Sequence, residues 1–286
     1  MEAHEMEAQA TVTHAKQAGH GLRWHPAAAR WWWSSGADAA LHAWAPGERA
    51  VQTCRLPDAA GLLAHCVSGG LLLGLPKRLC AIDAAGASGR QRGRPRVRAL
   101  VAVDAAEPRT GICDGRTDRQ GYLVFGTGNG GSDQRPIGSF YQFSRRHGLR
   151  RLALPAVAQA AGICFSADGR RMYFADAALG RILCCDYDAE FAAVANIGVF
   201  AELAGPARPR GAIVDAAGCL WSAQPGQLVQ YDPAGRALRR IDIDCGAPAF
   251  GGAALEQLMV VGPSGLVGLA LPAMTGLADT LYDDRA

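Results

Sequence analysis

The chain has 286 residues, 49% of them hydrophobic and 19% charged, with a formal net charge of +3. That balance excludes a disordered chain, and so small a charge gives no reason to expect nucleic acid or a membrane surface as a partner. Nine scattered cysteines, with no CxxC spacing, argue against a disulfide framework or a zinc ribbon and for reduced thiols in a cytoplasm.

The first stretch, MEAHEMEAQATVTH, carries acids and no apolar core, so it does not read as a secretory signal. Residues 1–9 are expected to be a loosely ordered extension. No later run reaches the ~18 apolar residues that a spanning helix requires. In HPAAARWWWSS (25–35) the run Trp31-Trp32-Trp33 is expected to pack between sheets, with sugar stacking as the alternative.

A layout then recurs: apolar strand, polar tip ending in Gly, apolar strand. It is seen in VSGGLLLG (67–74), DRQGYLVFG (118–126), SADGRRMYFA (166–175) and DAAGCLWSA (215–223). The tip glycines are Gly70, Gly121, Gly169 and Gly218, so they recur about every 50 residues. GGAALEQLMVVG (251–262) continues the series. Second hairpins follow in SFYQFSRRHGLRRLALP (139–155), ILCCDYD (182–188) and QLVQYDPAGRALRRIDID (227–244). A period of this length built from hairpins predicts an all-β, six-bladed β-propeller with four-stranded antiparallel blades around a central pocket. It is expected to form a single domain over residues 1–286.

Between these units, GRQRGRPRVR (89–98) lacks aromatics for base stacking and is expected to be a solvated loop rather than a polyanion patch. In GICDGRTDRQG (111–121), Asp114-Gly115 reads as a turn signal, with Cys113 immediately before it. GTGNGG (126–131) lacks the strand–helix context of a phosphate loop and is expected to be a flexible loop over the pocket, with Asn129 and Asp133 near a ligand. No GxSxG, HExxH or Walker motif occurs. LYDDR near the C-terminus is expected to close the ring by pairing with a strand around Ala10–Ala15.

The segments GHGLRWHP (19–26), ICDGRTDRQGYLVFGTGN (112–129), AAGICFSADGRRMYFADAALGRILCCDYD (160–188), PRGAIVDAAGCLWSA (209–223) and PAFGG (248–252) resemble, in order, strands of the regucalcin/gluconolactonase/luciferin-regenerating-enzyme family, which includes bacterial sugar lactonases. The resemblance implies a six-bladed propeller whose central pocket holds one divalent metal for lactone hydrolysis. The residues it would assign to that metal are replaced here. Where the family reads G-E-G-P-x-W, with Glu as ligand, the chain has Gly19-His20-Gly21-Leu22-Arg23-Trp24. For R-x-N-D-G, whose Arg and Asn bind substrate, it has Gly111-Ile112-Cys113-Asp114-Gly115. The ligand Asn of S-N-G-L becomes Ala161, and the ligand Asp of P-D-G becomes Arg210.

A hard divalent cation wants oxygen donors and net negative charge, and a guanidinium ~4 Å away repels it by several kcal/mol. No metal cofactor is therefore expected. The same groups suit an anion. Arg210 is expected to clamp negative charge, Cys113 to act as nucleophile or acid–base group with a lowered pKa, and His20 to be its proton partner. Cys113 as a small apolar filler is the alternative. Gly111, Asp114, Asn129 and Ala161 are expected to contact substrate, with Asp114 either pairing Arg210 or capping the turn.

The resemblance, taken with these replacements, implies a divergent lactonase-family hydrolase or ring-processing enzyme for a small anionic or lactone substrate. The alternatives are a metal-dependent sugar lactonase with non-standard ligands and a non-catalytic propeller that binds a small ligand.

Overall fold

A computed structural model describes residues 11–15, 17–83, 95–203, 208–271 and 274–285. The extension expected at 1–9 lies outside them, as does most of the arginine-rich stretch. Its Val97 and Arg98 open a strand.

The sixth blade supplies the first strand in the chain, β1 (Thr11–Ala15). Blade one is β2 (His20–His25), β3 (Arg30–Ser35), β4 (Ala40–Trp44) and β5 (Gln52–Arg55), and blade two is β6 (Leu62–His65), β7 (Leu71–Leu75), β8 (Arg78–Ile82) and β9 (Val97–Ala102). Blade three holds β10 (Thr110–Thr117), β11 (Leu123–Asn129), β12 (Phe140–Ser144) and β13 (Gly148–Arg151). Blade four holds β14 (Ala160–Phe165), β15 (Arg171–Asp176), β16 (Arg181–Asp188) and β17 (Ala193–Glu202). Blade five is β18 (Gly211–Val214), β19 (Leu220–Gln224), β20 (Gln227–Tyr231) and β21 (Ala237–Asp242). Blade six is β22 (Ala247–Gly251), β23 (Gln257–Gly262) and β24 (Gly265–Leu269), completed by β1. Every sheet is a four-stranded antiparallel meander, as the repeat predicted.

The turn glycines behave as a hairpin tip requires. Gly121, Gly169 and Gly218 sit at φ of 86°, 72° and 80°, a region closed to most side chains. In the second blade the left-handed residue is Gly69 rather than Gly70. Each pair of adjacent blades traps its own apolar cluster. Trp31 and Trp33 pack with Ala247, Met259 and Val261 of blade six, while Trp32 faces Leu63 and Leu73 of blade two. All three rings are buried, so the tryptophan run is packing between blades. Burying one such side chain is worth roughly 2–3 kcal/mol.

Ring closure differs from expectation. β1 pairs antiparallel with β24, Thr11 opposite Leu269. LYDDR instead crosses the underside of the ring. Tyr282 forms a parallel bridge with Cys66, the Asp283 amide donates to Gly121 O (3.0 Å), and Ser68 donates its amide to Asp284 (3.0 Å). The physical reason is that β24, third strand out in blade six, leaves its outer edge unpaired, and β1 satisfies that edge.

Candidate functional site

The innermost strands of blades one, three and four meet the axis irregularly. Pairing of β2 with β3 slips between His20 and Arg23, that of β10 with β11 between Ile112 and Asp114, and that of β14 with β15 between Ala161 and Cys164. Gly21 and Gly162, both at φ 66°, permit two of these bulges. In the third, Cys113 is the extra residue without a cross-strand partner. Asp114-Gly115 is thus a bulge inside a strand, not a turn, and the pair is absorbed because bulging re-aims one side chain toward the axis. Gly126–Asn129 likewise belongs to strand β11, so only the end of GTGNGG forms a loop.

Six of the eight residues singled out in the sequence line one axial cavity of 720 Å³, namely His20, Gly111, Cys113, Asn129, Ala161 and Arg210, while Asp114 and Asp133 do not. Sequence reasoning missed Arg109, Gln159 and Arg208, which line it too. The signal for Arg208 was present in the run Arg208-Pro209-Arg210 just before β18. Arg208 is exposed and has no ion-pair partner among the described residues. Gln159 is presented by Asp176, whose carboxylate accepts from the Ala158 and Gln159 amides at 2.8 and 3.1 Å.

His20 is held by Ala60. Its Nε2 lies 2.8 Å from the Ala60 carbonyl, and a carbonyl only accepts, so Nε2 carries the proton and Nδ1 is left as the basic nitrogen. Arg210 donates from Nη1 to Asp244 at 2.6 Å, in a pair about half exposed. Asp114 therefore does not pair with Arg210. Its Oδ2 accepts from Ile163 N (3.0 Å) and its Oδ1 from Gly115 N (2.8 Å). Alternation along the strand turns it to the layer beneath, although burial raises its pKa against the pull of those amides and of Arg23.

Cys113 differs from the depressed thiol expected. Its Sγ donates to Ala160 O at 3.2 Å, and burial, followed by the charge of Asp114, pushes the thiol far above its ordinary value. Neither His20 nor Arg210 is among the groups that shift it. Asn129 is occupied with its own loop, donating to Asp133 Oδ1 (2.6 Å) and Arg135 O (3.1 Å) and accepting from Gly131 N (2.8 Å). The donor set does not fit a divalent cation. No group of three His, Cys, Asp or Glu able to hold one occurs among the described residues, and the positions nearest the axis offer one imidazole, a protonated thiol and a guanidinium.

Below this floor the shaft is sealed by charge. Arg23 donates to Leu22 O (2.8 Å) and Gly115 O (2.7 Å), Arg116 donates to Asp279 Oδ1 (2.5 Å), and Asp279 Oδ2 lies 3.9 Å from Arg23 Nε. Burial pulls the Arg23 guanidinium down to about 10, with Arg116 adding to the effect. Asp279 comes from the C-terminal tail, so the tail is the stopper of the ring.

Six four-stranded antiparallel blades around a blind axial pocket define a six-bladed β-propeller. The chain belongs to the SMP-30/gluconolactonase/LRE-like family, whose model matches residues 18–262. It is 40% identical over 154 residues to the L-arabinolactonase of Azospirillum brasilense, covering 52% of this chain and 51% of that one. The chain thus spans about half the length of that curated relative. It is 28% identical over 228 residues to the 6-deoxy-6-sulfogluconolactonase of Pseudomonas putida, covering 77% of this chain and 74% of that one. A solved luciferin-regenerating enzyme superposes with a TM-score of 0.86 at 19% identity, over 96% of this chain and 99% of that one, and shares the fold.

Proposed function

We propose that the chain hydrolyses a small lactone bearing an acid group, and does so without the divalent cation implied by family resemblance. The observation that carries this reading is the convergence of the His20 imidazole and the Arg210 guanidinium, from different blades, on the axial cavity. Support comes from two relatives whose names denote sugar lactones, one of them sulfo-substituted.

The chemistry assigned to these groups is as follows. Nδ1 of His20 takes a proton from a water whose oxygen adds to the lactone carbonyl. Arg210 balances the charge that develops on the carbonyl oxygen or binds the acid group of the substrate. The ring C–O bond breaks, and the proton held by His20 passes to the departing ring oxygen, leaving a hydroxy acid. Arg208, at the mouth, adds a second cation for the acid group. Cys113 stays a neutral thiol and closes the floor.

The test is turnover of carboxylated and neutral sugar lactones, followed by acid release, before and after chelation and alongside elemental analysis of the purified chain. Turnover that favours the carboxylated lactone and survives chelation supports the reading. A stoichiometric metal whose removal abolishes turnover overturns it.

A further inference from the structure

The axial cavity has two unlike sides. Gln159 and Arg208 reach it from blades four and five, and no side-chain hydrogen bond or ion pair holds either among the described residues. With Arg210 and the Nδ1 of His20, they are the groups left to bind a polar ligand. The polar side chains on the blade three rim are committed elsewhere. Thr110 donates to Asp104 Oδ2 (2.9 Å), Arg109 places Nε and Nη2 on the Glu107 carboxylate (3.0 Å each), and Asn129 holds its own loop.

The side built by blades two and three is apolar. Ala59, Ala60 and Gly61 lead into β6, Pro76 turns β7 into β8, and Gly111 and Ile112 lie on β10. None has a polar side chain, and much of the backbone there is engaged as well. The Ala60 carbonyl accepts from His20 (2.8 Å) and from Ser34 Oγ (3.1 Å). Gly61 N donates to Gly74 O (2.8 Å), and Ile112 N donates to Pro76 O (3.1 Å). Proline itself has no N–H to offer. A Cβ on Gly61 would lie 2.1 Å from Ile112 O, so the two blades touch and leave no room for a side chain at that point.

A polyol laid on this side would lose water from its hydroxyls with little to replace it, at a cost for each one. An alkyl or aryl group laid there gives up no hydrogen bond and buries apolar surface. We propose that the substrate is a lactone with an acid group at one end and an apolar alkyl or aryl substituent at the other, the substituent lying on the Ala60–Pro76–Ile112 wall. The lactone ring rests on the hydrolytic reading of the site, whereas the division of the cavity into an acid side and an apolar side does not.

The test is calorimetric titration of the unmodified chain with two hydroxy acids of equal charge, phenyllactate and gluconate. Phenyllactate should bind roughly tenfold tighter or more, with a negative heat-capacity change. Gly111 is the place to alter the wall, since a Cβ there would stand 3.8 Å from Pro76, in ordinary contact. Gly111→Gln, with folding checked by its unfolding midpoint, should bring the two affinities to within about threefold. Gluconate binding as tightly as phenyllactate to the unmodified chain, or neither binding at millimolar concentration, would overturn the proposal without need of a variant. So would a preference that a folded Gly111→Gln chain keeps, because the aromatic ring would then sit elsewhere. Nothing reacts in these titrations, so a chain that prefers phenyllactate yet opens no lactone would refute the hydrolytic reading alone.

Discussion

The thiol of Cys113 donates to the carbonyl of Ala160, 3.2 Å away on the next blade. The contact is possible because blades three and four approach so closely there that a Cβ on Gly126 would lie 2.2 Å from that of Ala160. A thiol held this way, with burial and then Asp114 opposing ionisation, has a negligible thiolate fraction near neutrality. Iodoacetamide at pH 8 should therefore leave Cys113 unmodified in the folded chain, as read by peptide mass mapping. Cys113→Ala should keep turnover within about threefold, whereas rapid stoichiometric alkylation at residue 113 would restore it as a nucleophile.

His20→Gln retains a side-chain donor for the Ala60 carbonyl but loses the basic Nδ1. We expect kcat for lactone hydrolysis to drop ~10²–10⁴-fold with an unchanged unfolding midpoint. Steady-state kinetics beside circular dichroism make the check, and wild-type kcat in this variant would remove His20 from the chemistry.

Arg210 is shared between Asp244 and the cavity. Since the pair is half exposed, losing it costs at most about 1 kcal/mol of stability. Arg210→Gln should raise KM for an anionic lactone roughly tenfold to a hundredfold while leaving a neutral lactone unaffected. Asp244→Asn, which frees the guanidinium, should lower KM for the anionic lactone. Equal effects on both lactones would contradict an anion-binding role.

Asp279 links the tail to the buried arginines. Burial opposes its ionisation, yet Arg116 and then Arg23 hold its carboxyl below the ordinary value. A depressed folded pKa stabilises above the unfolded value, near 3.9, and the benefit is lost as pH falls through the folded value. Asp279→Asn should cost about 3–5 kcal/mol at pH 7, since it leaves buried arginines short of a counter-charge. That gap should narrow below pH 4 in denaturant titrations. A gap that stays constant down to pH 3 would show that the carboxyl titrates alike in the folded and unfolded chain and is not held down by the arginines.

Tyr282 offers two changes of opposite sign. Its ring is 1% exposed and stacks on Phe143 at 6.0 Å, so Tyr282→Ala should cost ~3–5 kcal/mol. Its hydroxyl is buried without a partner among the described residues, so Tyr282→Phe should be neutral or stabilising. Urea denaturation distinguishes them, and a large loss in the Phe variant would reveal a partner for the hydroxyl.

The parts of this molecule that were legible in the sequence are those with a local cause. A hairpin tip at positive φ is met most easily by glycine, so Gly121, Gly169 and Gly218 mark the blade period. That Trp31 and Trp33 face one neighbouring blade and Trp32 the other follows from the alternation of strand side chains. Cys113 was misread because Asp-Gly favours the same backbone freedom in a bulge as in a turn, and the pairing register that separates them depends on β11. The Arg210–Asp244 pair and the Arg23–Arg116–Asp279 seal join residues from distant parts of the chain, with no pattern in the letters to announce them. Likewise β1 is five residues long, too short to declare which edge it completes.

That first strand bears on how the molecule is born. Because Thr11 must meet Leu269, blades one to five emerge from a ribosome as an open fan whose two exposed flanks cannot join until Leu269 has been made. Asp279 arrives later still. During synthesis Arg23 and Arg116 therefore stand open to solvent until Asp279 emerges, and the stretch from Leu269 to Asp279 closes both the circle and its base.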